Sequence, residues 1–288
     1  MKWLITGADG MVAHDLCDAL AERGETFVAL SRADLDICDA RVGYRIIRDA
    51  RPDVIVNCAA YTKVDAAEEN ESVANAVNGS AVEFLAQHAD SVDALLVQLS
   101  TDFVFDGAAR EPYEVNAATA PLSAYGRSKL LGEVAAAHAR RSVILRTSWL
   151  FGSYGPNFVE AIRNQIRKGT NPLRVVNDQR GRPTYTPHLA AAIVRVVTSG
   201  ATGVVHYADA PECTWFDFAR EIAAQLGANV EVKPVATDEF PRPARRPAYS
   251  VLSTERYERV TGVAPASWQE GLREYLTTSD TRRFLPRP

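Results

Sequence analysis

The sequence lacks the features that mark membrane-spanning and nucleic-acid-binding proteins. None of its apolar runs approaches the roughly 18 residues that a transmembrane helix needs. Its 32 Lys and Arg are outnumbered by 36 Asp and Glu, whereas nucleic acid and acidic membranes attract a basic excess. Met1-Lys2-Trp3 leads directly into a strand pattern, without the apolar segment of a signal peptide. We therefore expect a cytoplasmic protein with no nucleic-acid or membrane partner.

Cysteine is scarce, and its spacing indicates neither disulfides nor a metal site. The 4 cysteines stand alone, at Cys17, Cys38, Cys58 and Cys213, and no two form a Cys-x-x-Cys pair. Reduced thiols in a cytoplasmic protein are the simplest interpretation. Internal repeats and low-complexity tracts are also missing. What remains is a chain of 288 residues, long enough for one large domain or a main domain with a smaller appendage.

Apolar runs alternate with helical patterns through the first half of the chain. KWLITG is an apolar run, ADGMVAHDLCDALAERG is a helical pattern that ends at Gly24, and ETFVALSR is β-rich again. The alternation continues through DVIVNCAA, ALLVQLSTD and SVILRTSW, with helical spacing between them. Strands that are apolar on both faces are typical of a parallel sheet covered by helices on both sides. The fold class predicted for residues 1–150 is therefore α/β, a doubly wound parallel Rossmann sheet.

The pattern changes after Trp149. Gly and Pro become frequent in GSYGPN, GTNPL and GRPTYTP, and prolines and arginines cluster in PVATDEFPRPARRP. Two helical patterns remain, HLAAAIVRVVTSG and WFDFAREIAAQLG. Residues 151–288 are predicted to form mainly a smaller C-terminal substrate-binding lobe, with some segments returning to the Rossmann sheet. Such a lobe would cover the carboxyl ends of the strands, where doubly wound sheets bind ligands.

A glycine turn lies between the first strand and the first helix. Gly7 permits the tight turn, Gly10 lets the backbone approach a pyrophosphate, and Ala13 is small enough for the helix to lie close to the sheet. The free N–H groups and the dipole at the start of this helix favour phosphate. The spacing is GxxGxxA rather than the GxGxxG of ordinary dehydrogenases. We predict a dinucleotide site here, the alternative being a plain structural turn.

The residues after the second and third strands bear on the choice of cofactor. Arg32 stands where an acidic residue would bind the ribose hydroxyls of NAD, and its guanidinium suits the 2′-phosphate of NADPH. A solvated surface arginine is the alternative interpretation. Asp36-Ile37 can reach the adenine, and the small residues around Ala59 offer room for a cofactor to cross the sheet edge. We expect NADPH or NADH, with NADPH favoured.

Tyr125 and Lys129 in PLSAYGRSK are four residues apart on a predicted helix, so they share one face. A phenol has a pKa near 10, but a neighbouring ammonium and a nicotinamide cation favour the phenolate. Tyr125 can then exchange a proton with a substrate oxygen, and Lys129 can also bind the nicotinamide ribose. Taken alone, such a pair is more often a surface tyrosine beside a solvated lysine.

The fourth strand favours the functional interpretation of that pair. It ends with Ser100 and Thr101, at the carboxyl end of a central strand, where active-site groups usually lie. A hydroxyl there can hydrogen-bond a carbonyl that is being reduced. The glycine turn, the strand-end hydroxyl and the Tyr-Lys pair occur in this order, each on the expected element.

Seven segments together resemble a known family. They are the glycine turn, NCAAYTKVDAAE, LSTDFVFDG, YGRSK, RTSWLFG, NDQRGRPTY and FPRPARRPAYS. The chain is similar to the extended short-chain dehydrogenase/reductase superfamily and, more narrowly, to the dTDP-4-dehydrorhamnose reductase family. The resemblance implies a Rossmann domain with a small nucleotide-sugar lobe. It also implies an oxidoreductase that uses NAD(P)H to reduce the C4 keto group of a dTDP-4-keto-6-deoxy sugar.

The resemblance also implies roles for individual residues. The implied catalytic residues are Thr101, Tyr125 and Lys129. The expected cofactor contacts, from the motifs and the resemblance together, are Gly7, Gly10, Met11, Val12, Arg32, Asp36, Ile37, Ala59, Ala60, Tyr61 and Thr62, with Tyr125 and Lys129. The implied sugar contacts are Thr101, Asp102 and Trp149.

Arg246 is expected to bind the diphosphate of the substrate, because a guanidinium matches phosphate geometry. Its alternative is a solvated loop arginine.

The sequence departs from one pattern of this family. Some enterobacterial-type members carry acidic residues that bind magnesium at a dimer interface, and the matching positions here are Asp15, His188 and Gln269. Two of these three are not acidic. We therefore expect no metal, and either a monomer or a homo-oligomer that does not depend on metal. The exact sugar stays open, since the product is dTDP-L-rhamnose or another deoxysugar or branched sugar.

Three other functions share parts of these motifs. A 4,6-dehydratase needs an acid–base pair after the strand-four hydroxyl, and here Phe103 follows Asp102, so the base is missing. A nucleotide-sugar 4-epimerase uses the same three catalytic residues and retains NAD tightly. A non-catalytic, NADP-binding regulatory subunit of the same fold often loses the tyrosine or the lysine, and this chain keeps both.

Overall fold

The structure, a computed structural model, describes residues 1–282. Its strands are β1 (Lys2–Thr6), β2 (Thr26–Leu30), β3 (Val54–Asn57), β4 (Leu95–Thr101), β5 (Ser142–Thr147), β6 (Leu150–Phe151), β7 (Leu173–Val176), β8 (Arg180–Gly181), β9 (Thr184–Tyr185), β10 (Gly203–His206), β11 (Cys213–Thr214) and β12 (Val232–Val235). Its α-helices are α1 (Met11–Glu22), α2 (Ala40–Ala50), α3 (Val64–Ala67), α4 (Glu71–Asn75), α5 (Ala81–Ser91), α6 (Ala124–Ala137), α7 (Phe158–Arg167), α8 (Thr186–Thr198), α9 (Trp215–Gln225), α10 (Glu255–Thr261) and α11 (Trp268–Arg282). In this part of the chain, no helix has both the length and the hydropathy needed to cross a bilayer.

Six strands form one sheet in the order β10-β5-β4-β3-β1-β2. Every neighbouring pair is parallel, which confirms the predicted doubly wound α/β sheet. From β1 the chain moves outward to β2, and then returns to place β3 on the other side of β1. The carboxyl ends of β1 and β3 therefore flank a topological switch point, the usual binding crevice of such sheets.

Successive residues of the central strands enter two separate cores, one on each side of the sheet. Trp3 and Ile5 of β1 pack with α1 and α8 on one face, whereas Leu4 packs with α2, α5 and α6 on the other. All three side chains are fully buried. This explains why the strands are apolar at every position instead of alternating with polar residues.

Two glycines let α6 pack closely against the backbone of neighbouring segments. A Cβ at Gly126 would collide with the backbone oxygen of Phe103, and a Cβ at Gly132 would collide with the backbone oxygen of Asn78. Asn78 lies in a π-helical turn, Ala76–Ser80, between α4 and α5. Helical spacing between DVIVNCAA and ALLVQLSTD predicts helix here, and the structure inserts the π-turn where α6 packs against it.

The C-terminal half of the chain contributes to both the main sheet and the small lobe. Strand β10 pairs with β5 at the edge of the main sheet, and α8 packs against α1. The small lobe has its own apolar core from β6, β7, β9, β11, α7, α9 and α11, including Phe151, Phe218 and Trp268. The lobe stands over the carboxyl ends of the sheet strands, as its contacts with the glycine turn show below.

Candidate active site

The site begins at the switch point, where the glycine turn meets the loop after β3. Gly7 has a φ of +68°, a conformation that L side chains rarely adopt. A Cβ at Gly7 would lie 2.6 Å from the backbone nitrogen of Ala59. Glycine at this position therefore satisfies both the turn and the close approach of two loops that are predicted to contact the cofactor.

The start of α1 has the properties of a phosphate site. Gly10 is exposed at the N-cap, and no side chain caps the first turn of this helix. The side chain of Val12 is buried, so Val12 offers a ligand its backbone, while Met11 is half-buried. Unpaired N–H groups and the positive end of the helix dipole bind anions, so these residues fit a dinucleotide pyrophosphate.

A loop of the small lobe packs on this turn. Tyr154 stacks on His14 with ring centroids 4.1 Å apart, and a Cβ at Gly155 would lie 3.2 Å from Met11 Cγ. The lobe therefore contacts the first turn of α1 directly.

The residues expected to recognise the adenosine end lie beside β2. Arg32 is 85% exposed and pairs with Asp36 at 3.4 Å. A long, exposed ion pair contributes little energy, so the guanidinium is available to a phosphate. Ile37 differs, because its side chain is 5% exposed and packs in the core, which leaves only its backbone for a ligand.

The loop after β3 is held in place by Asn78 of the π-turn. Asn78 Oδ1 accepts the backbone N–H of Tyr61 at 2.8 Å, and Nδ2 donates to the Tyr61 carbonyl at 3.0 Å and to Ser128 Oγ at 2.9 Å. Ala59, Ala60 and Tyr61 are half-buried, and Thr62 is exposed. Asn78 thus fixes the distance between this loop and α6.

Tyr125 and Lys129 both lie on α6, as predicted, and Thr101 lies at the end of β4. Burial is the main reason why the pKa of Tyr125 is raised to about 12; the charge of Asp102 also raises it, and a hydrogen bond with Thr101 lowers it. Thr101 Oγ1 also donates to Asp102 Oδ1 at 3.0 Å. The structure therefore brings Thr101, Tyr125 and Asp102 together, and Lys129 lies one helical turn from Tyr125 on α6.

Lys129 hydrogen-bonds a backbone carbonyl, whereas the sequence predicted that its ammonium acts on Tyr125. Its Nζ donates to the Leu99 carbonyl at 2.6 Å, and the lysine is not among the groups that shift the pKa of Tyr125. Burial lowers the pKa of Lys129 to about 8, while the charges of Glu133 and Cys58 oppose that shift. The predicted lowering of the phenol pKa by this ammonium is therefore not a property of the protein alone.

Burial raises the pKa of Asp102 to about 6, with hydrogen bonds from Ser250 and Thr101 opposing the shift. Asp102 is 1% exposed. A carboxyl group with this pKa can change its protonation state near neutral pH.

Ser100 does not face the catalytic group, although it ends the same strand as Thr101. Its hydroxyl donates to Glu133 Oε1 at 2.5 Å, and Glu133 forms a buried ion pair with Arg146 at 2.6 Å. Arg146 also donates to His206 Nε2 at 3.2 Å, and burial, with the charge of Arg146, lowers the pKa of His206 to about 3. This network lies one helical turn below Lys129 and supports α6 against the sheet.

A cavity of about 760 Å³ adjoins the catalytic group. Phe103 lines it and meets the Tyr125 ring edge-on at 5.7 Å between centroids. Trp149 lines it with a φ of +47°, and its ring stacks on Trp215 at 3.6 Å. A Cβ at Gly181 would lie 2.5 Å from Trp149 Cε2, so this glycine makes room for the indole. A non-glycine residue in the left-handed region stores strain that is typical of functional sites.

The loop of residues 240–247, which we call the arginine loop, forms one side of the cavity. Arg242, Arg245 and Arg246 all line it. Arg246, the predicted diphosphate ligand, forms a bidentate pair with Asp65, with Nη1–Oδ1 at 2.7 Å and Nη2–Oδ2 at 2.9 Å.

Within residues 1–282, no group of three or more His, Cys, Asp or Glu could hold a metal ion, and the positions that correspond to magnesium ligands have other surroundings. Asp15 is buried on α1. His188 Nδ1 lies 2.8 Å from Asp209 Oδ2, and the Gln269 side chain accepts a hydrogen bond from Ser267.

Sequence reasoning missed four residues that shape this site: Asn78, Asp65, Glu133 and Trp215. Glu133 follows Lys129 by four residues, and this spacing on one helix face was a usable signal. The other three act through partners that are distant in sequence, for which no local pattern exists.

The sheet, the glycine turn and the Thr-Tyr-Lys group define the class of protein: a nicotinamide-nucleotide-dependent oxidoreductase with a Rossmann fold. Residues 1–281 match the family described as RmlD substrate binding domain, and the chain belongs to this family. The resemblance inferred from the sequence is thereby confirmed.

The similarity to known proteins extends over nearly the whole chain. A dTDP-4-keto-6-deoxy-D-glucose reductase of Streptomyces niveus is 43% identical, over 98% of this chain and 96% of its own. A dTDP-4-dehydrorhamnose reductase of Mycolicibacterium smegmatis is 41% identical, over 94% of this chain and 84% of its own. The crystal structure of dTDP-4-dehydrorhamnose reductase from Bacillus anthracis in complex with NADP has a TM-score of 0.92 and 34% identity, over 96% of this chain and 99% of its own.

Proposed function

We propose that this protein uses NADPH or NADH to reduce the C4 keto group of a dTDP-4-keto-6-deoxy sugar. One observation carries the proposal: Thr101 of β4 hydrogen-bonds Tyr125 of α6, with Lys129 one turn further along that helix. Phe103, which contacts the Tyr125 ring, lines the cavity that the arginine loop borders. The names of the relatives support the same reaction type and a dTDP-linked substrate. Their names differ in the sugar, so the proposal covers dTDP-4-dehydrorhamnose and closely related keto-sugars.

The nicotinamide cofactor, when bound, supplies the hydride. The first turn of α1, with Gly10, Met11 and Val12, would hold its pyrophosphate, and the loop from Ala59 to Thr62 would lie along it. Arg32 would face a 2′-phosphate, and the half-buried Asp36 and the Ile37 backbone would lie near the adenine. The exposed guanidinium of Arg32 is the reason for favouring NADPH.

Tyr125 would give its phenolic proton to the alkoxide oxygen that forms at C4. With a pKa of about 12 this phenol is protonated at neutral pH, as an unperturbed phenol also is, and it therefore carries the proton to be donated. Thr101 would orient the carbonyl by a hydrogen bond, and Lys129 would bind the nicotinamide ribose and polarise the site. Asp102 and Trp149 would contact the sugar, with the indole held by Trp215 and Gly181.

The small lobe would bind the nucleotide, with Arg246 and the rest of the arginine loop facing the diphosphate. We propose 1–150 as the NAD(P)-binding Rossmann domain and 151–288 as mainly the nucleotide-sugar-binding lobe. We also propose a cytoplasmic protein, monomeric or a homo-oligomer that does not depend on metal, with no nucleic-acid or membrane partner.

A direct assay tests this function. Purified protein is mixed with dTDP-4-keto-6-deoxy-L-lyxo-hexulose, made in situ by a 3,5-epimerase, and the loss of NADPH or NADH absorbance is followed in parallel. The unepimerised 4-keto-6-deoxyglucose is the control substrate. We expect rapid oxidation with the epimerised sugar and a preference for NADPH.

Other outcomes point to the alternatives. Oxidation with the control sugar alone would indicate a reductase of a different stereochemical series. NAD that stays bound through purification, without net oxidation, would indicate an epimerase. Cofactor binding without turnover on either sugar would favour a different keto-sugar or a regulatory subunit.

A further inference from the structure

Asp65 lies where the Rossmann domain meets the arginine loop. It is the second residue of α3, three positions after Thr62, and it lines the cavity. Besides the bidentate pair with Arg246, Asp65 Oδ1 accepts the backbone N–H of Ala244 at 3.3 Å. Arg246 Nη1 in turn donates to the Ala244 carbonyl at 2.6 Å. One carboxylate therefore organises the whole turn from Ala244 to Arg246.

This ion pair is better shielded from water than most surface pairs. The side chains of Arg246 and Asp65 are 22% and 34% exposed. Bidentate guanidinium–carboxylate pairs fix geometry as well as charge, so the position of Asp65 determines the position of Arg246.

The chain on either side of Asp65 is bonded to the other parts of the active site. Upstream, Asn78 clamps Tyr61 of the predicted cofactor loop. Downstream, Glu68 Oε1 accepts the N–H of Ala124 at 2.8 Å, at the start of the catalytic helix α6. A shift of the cofactor loop would therefore be transmitted to Asp65 and, through it, to the arginine loop.

The other end of the arginine loop is attached to the small lobe. Just before it, Thr237 donates to Asp178 through its hydroxyl at 2.6 Å and its N–H at 2.8 Å. Glu239 pairs with Arg174 at 2.5 Å. The loop thus spans from the lobe to Asp65, and its exposed Arg242 and Arg245 face the cavity in between.

We propose that Asp65 is a positioning residue that couples the cofactor site to the sugar-nucleotide site by fixing the arginine loop through Arg246. The proposal rests on the proposed function, which supplies the two ligands. Coupling between binding sites is reciprocal, so NADP⁺ should tighten the binding of dTDP by the factor by which dTDP tightens that of NADP⁺.

Isothermal titration of the full chain with dTDP, with and without saturating NADP⁺, measures this coupling as a ratio of two dissociation constants. We expect NADP⁺ to tighten dTDP binding on the order of 10-fold in the unaltered protein. Asp65→Asn keeps the side-chain size but loses the charge, and should bring the ratio close to one. A purely electrostatic effect of the lost carboxylate would instead tighten dTDP equally in both titrations and leave the ratio unchanged.

Asp90→Asn is the matched control, because it also removes a carboxylate that binds an arginine, Arg140, and a backbone N–H, but on α5, away from the arginine loop. It should keep the ratio of the unaltered protein. The double variant Asp65→Asn/Arg246→Gln should show no further loss of coupling, since the two residues act as one unit.

A ratio of one in the unaltered protein, or an unchanged ratio in Asp65→Asn, would overturn the proposal while leaving the reductase function intact. Failure of the unaltered protein to bind either dTDP or NADP⁺ would contradict the proposed function and the coupling with it.

Discussion

Tyr125 is held by its surroundings in the protonated state. Burial and the charge of Asp102 raise its pKa to about 12, and the Thr101 hydroxyl opposes them only in part. The higher pKa makes this phenol a weaker acid in the protein alone, so we expect the nicotinamide cation and the Lys129 ammonium to lower it during proton transfer.

Replacing Tyr125 should remove the proton donor and leave cofactor binding intact. Tyr125→Phe is expected to lower kcat on the order of 100-fold or more, because proton donation is lost. The dissociation constant of NADPH should change little. Steady-state kinetics and a fluorescence titration of NADPH measure the two effects, with Tyr44→Phe, an exposed tyrosine on α2, as the control. Unchanged turnover in Tyr125→Phe would contradict the assignment.

Lys129 is costly to bury, and its removal should stabilise the protein. Its pKa falls from 10.5 to about 8, mainly through burial, so the charged form is disfavoured in the folded state. Lys129→Met leaves no neighbouring polar group without a partner. Glu133 still pairs with Arg146, and the Leu99 carbonyl still accepts a hydrogen bond from Gln98. We expect a rise of a few degrees in Tm at pH 7, since about 1 kcal/mol shifts large domains by roughly 2–4 °C, together with loss of activity.

The pH dependence of that difference follows from proton binding. Between about pH 8 and pH 10.5 the unfolded chain binds more protons at Lys129 than the folded one, so the stability of the unaltered protein rises with pH there. Thermal melts should therefore show the two Tm values converging across this window. A lower Tm for Lys129→Met, or a gap that widens with pH, would contradict this account.

Gly7, in the turn between β1 and α1, can be compared with Gly24, which follows α1 and has the same backbone conformation. Gly7 has a φ of +68° and Gly24, at the end of α1, a φ of +67°, but only at Gly7 would a Cβ meet other atoms. Gly24→Ala should cost about 1 kcal/mol from the positive φ. Gly7→Ala should cost at least about 2 kcal/mol, because its Cβ also collides with the Ala59 backbone.

Urea denaturation of both glycine variants measures these costs, and a titration with NADPH measures the function of the turn. Only Gly7→Ala should lose cofactor affinity. Equal losses of stability in the two variants would show that the contact with the loop after β3 is unimportant.

Among the elements, those set by local patterns were predictable and those set by distant partners were not. The five apolar runs that became β1 to β5 and the helices α1 and α6 follow from periodicity, since each buries its own apolar residues. The π-turn Ala76–Ser80 does not, because it exists where Gly132 of α6 approaches Asn78. The positive φ of Trp149 likewise depends on the space left by Gly181, 32 residues further along the chain by their numbers.

Over the molecule as a whole, the first half of the chain was easier to predict than the second. The sheet follows from βα alternation, but β10 takes the edge position beside β5 only after the chain has built much of the lobe. Thr101, Tyr125 and Lys129, the predicted catalytic residues, lie on the regular elements where the sequence predicted them. Their supports join different elements: Glu133 of α6 pairs with Arg146 of β5, and Asp65 pairs with Arg246, 181 residues further along the chain.

Hydride transfer from a nicotinamide to C4 of a dTDP-linked keto-sugar can be followed with an isotope label. The protein is incubated with NADPH deuterated at the transferring position of C4 and with dTDP-4-keto-6-deoxy-L-lyxo-hexulose, and the product is examined by NMR. We expect one deuterium at sugar C4, in a single configuration, with one NADP⁺ formed for each product. Product without deuterium at C4, or deuterium at another carbon, would contradict the proposed function.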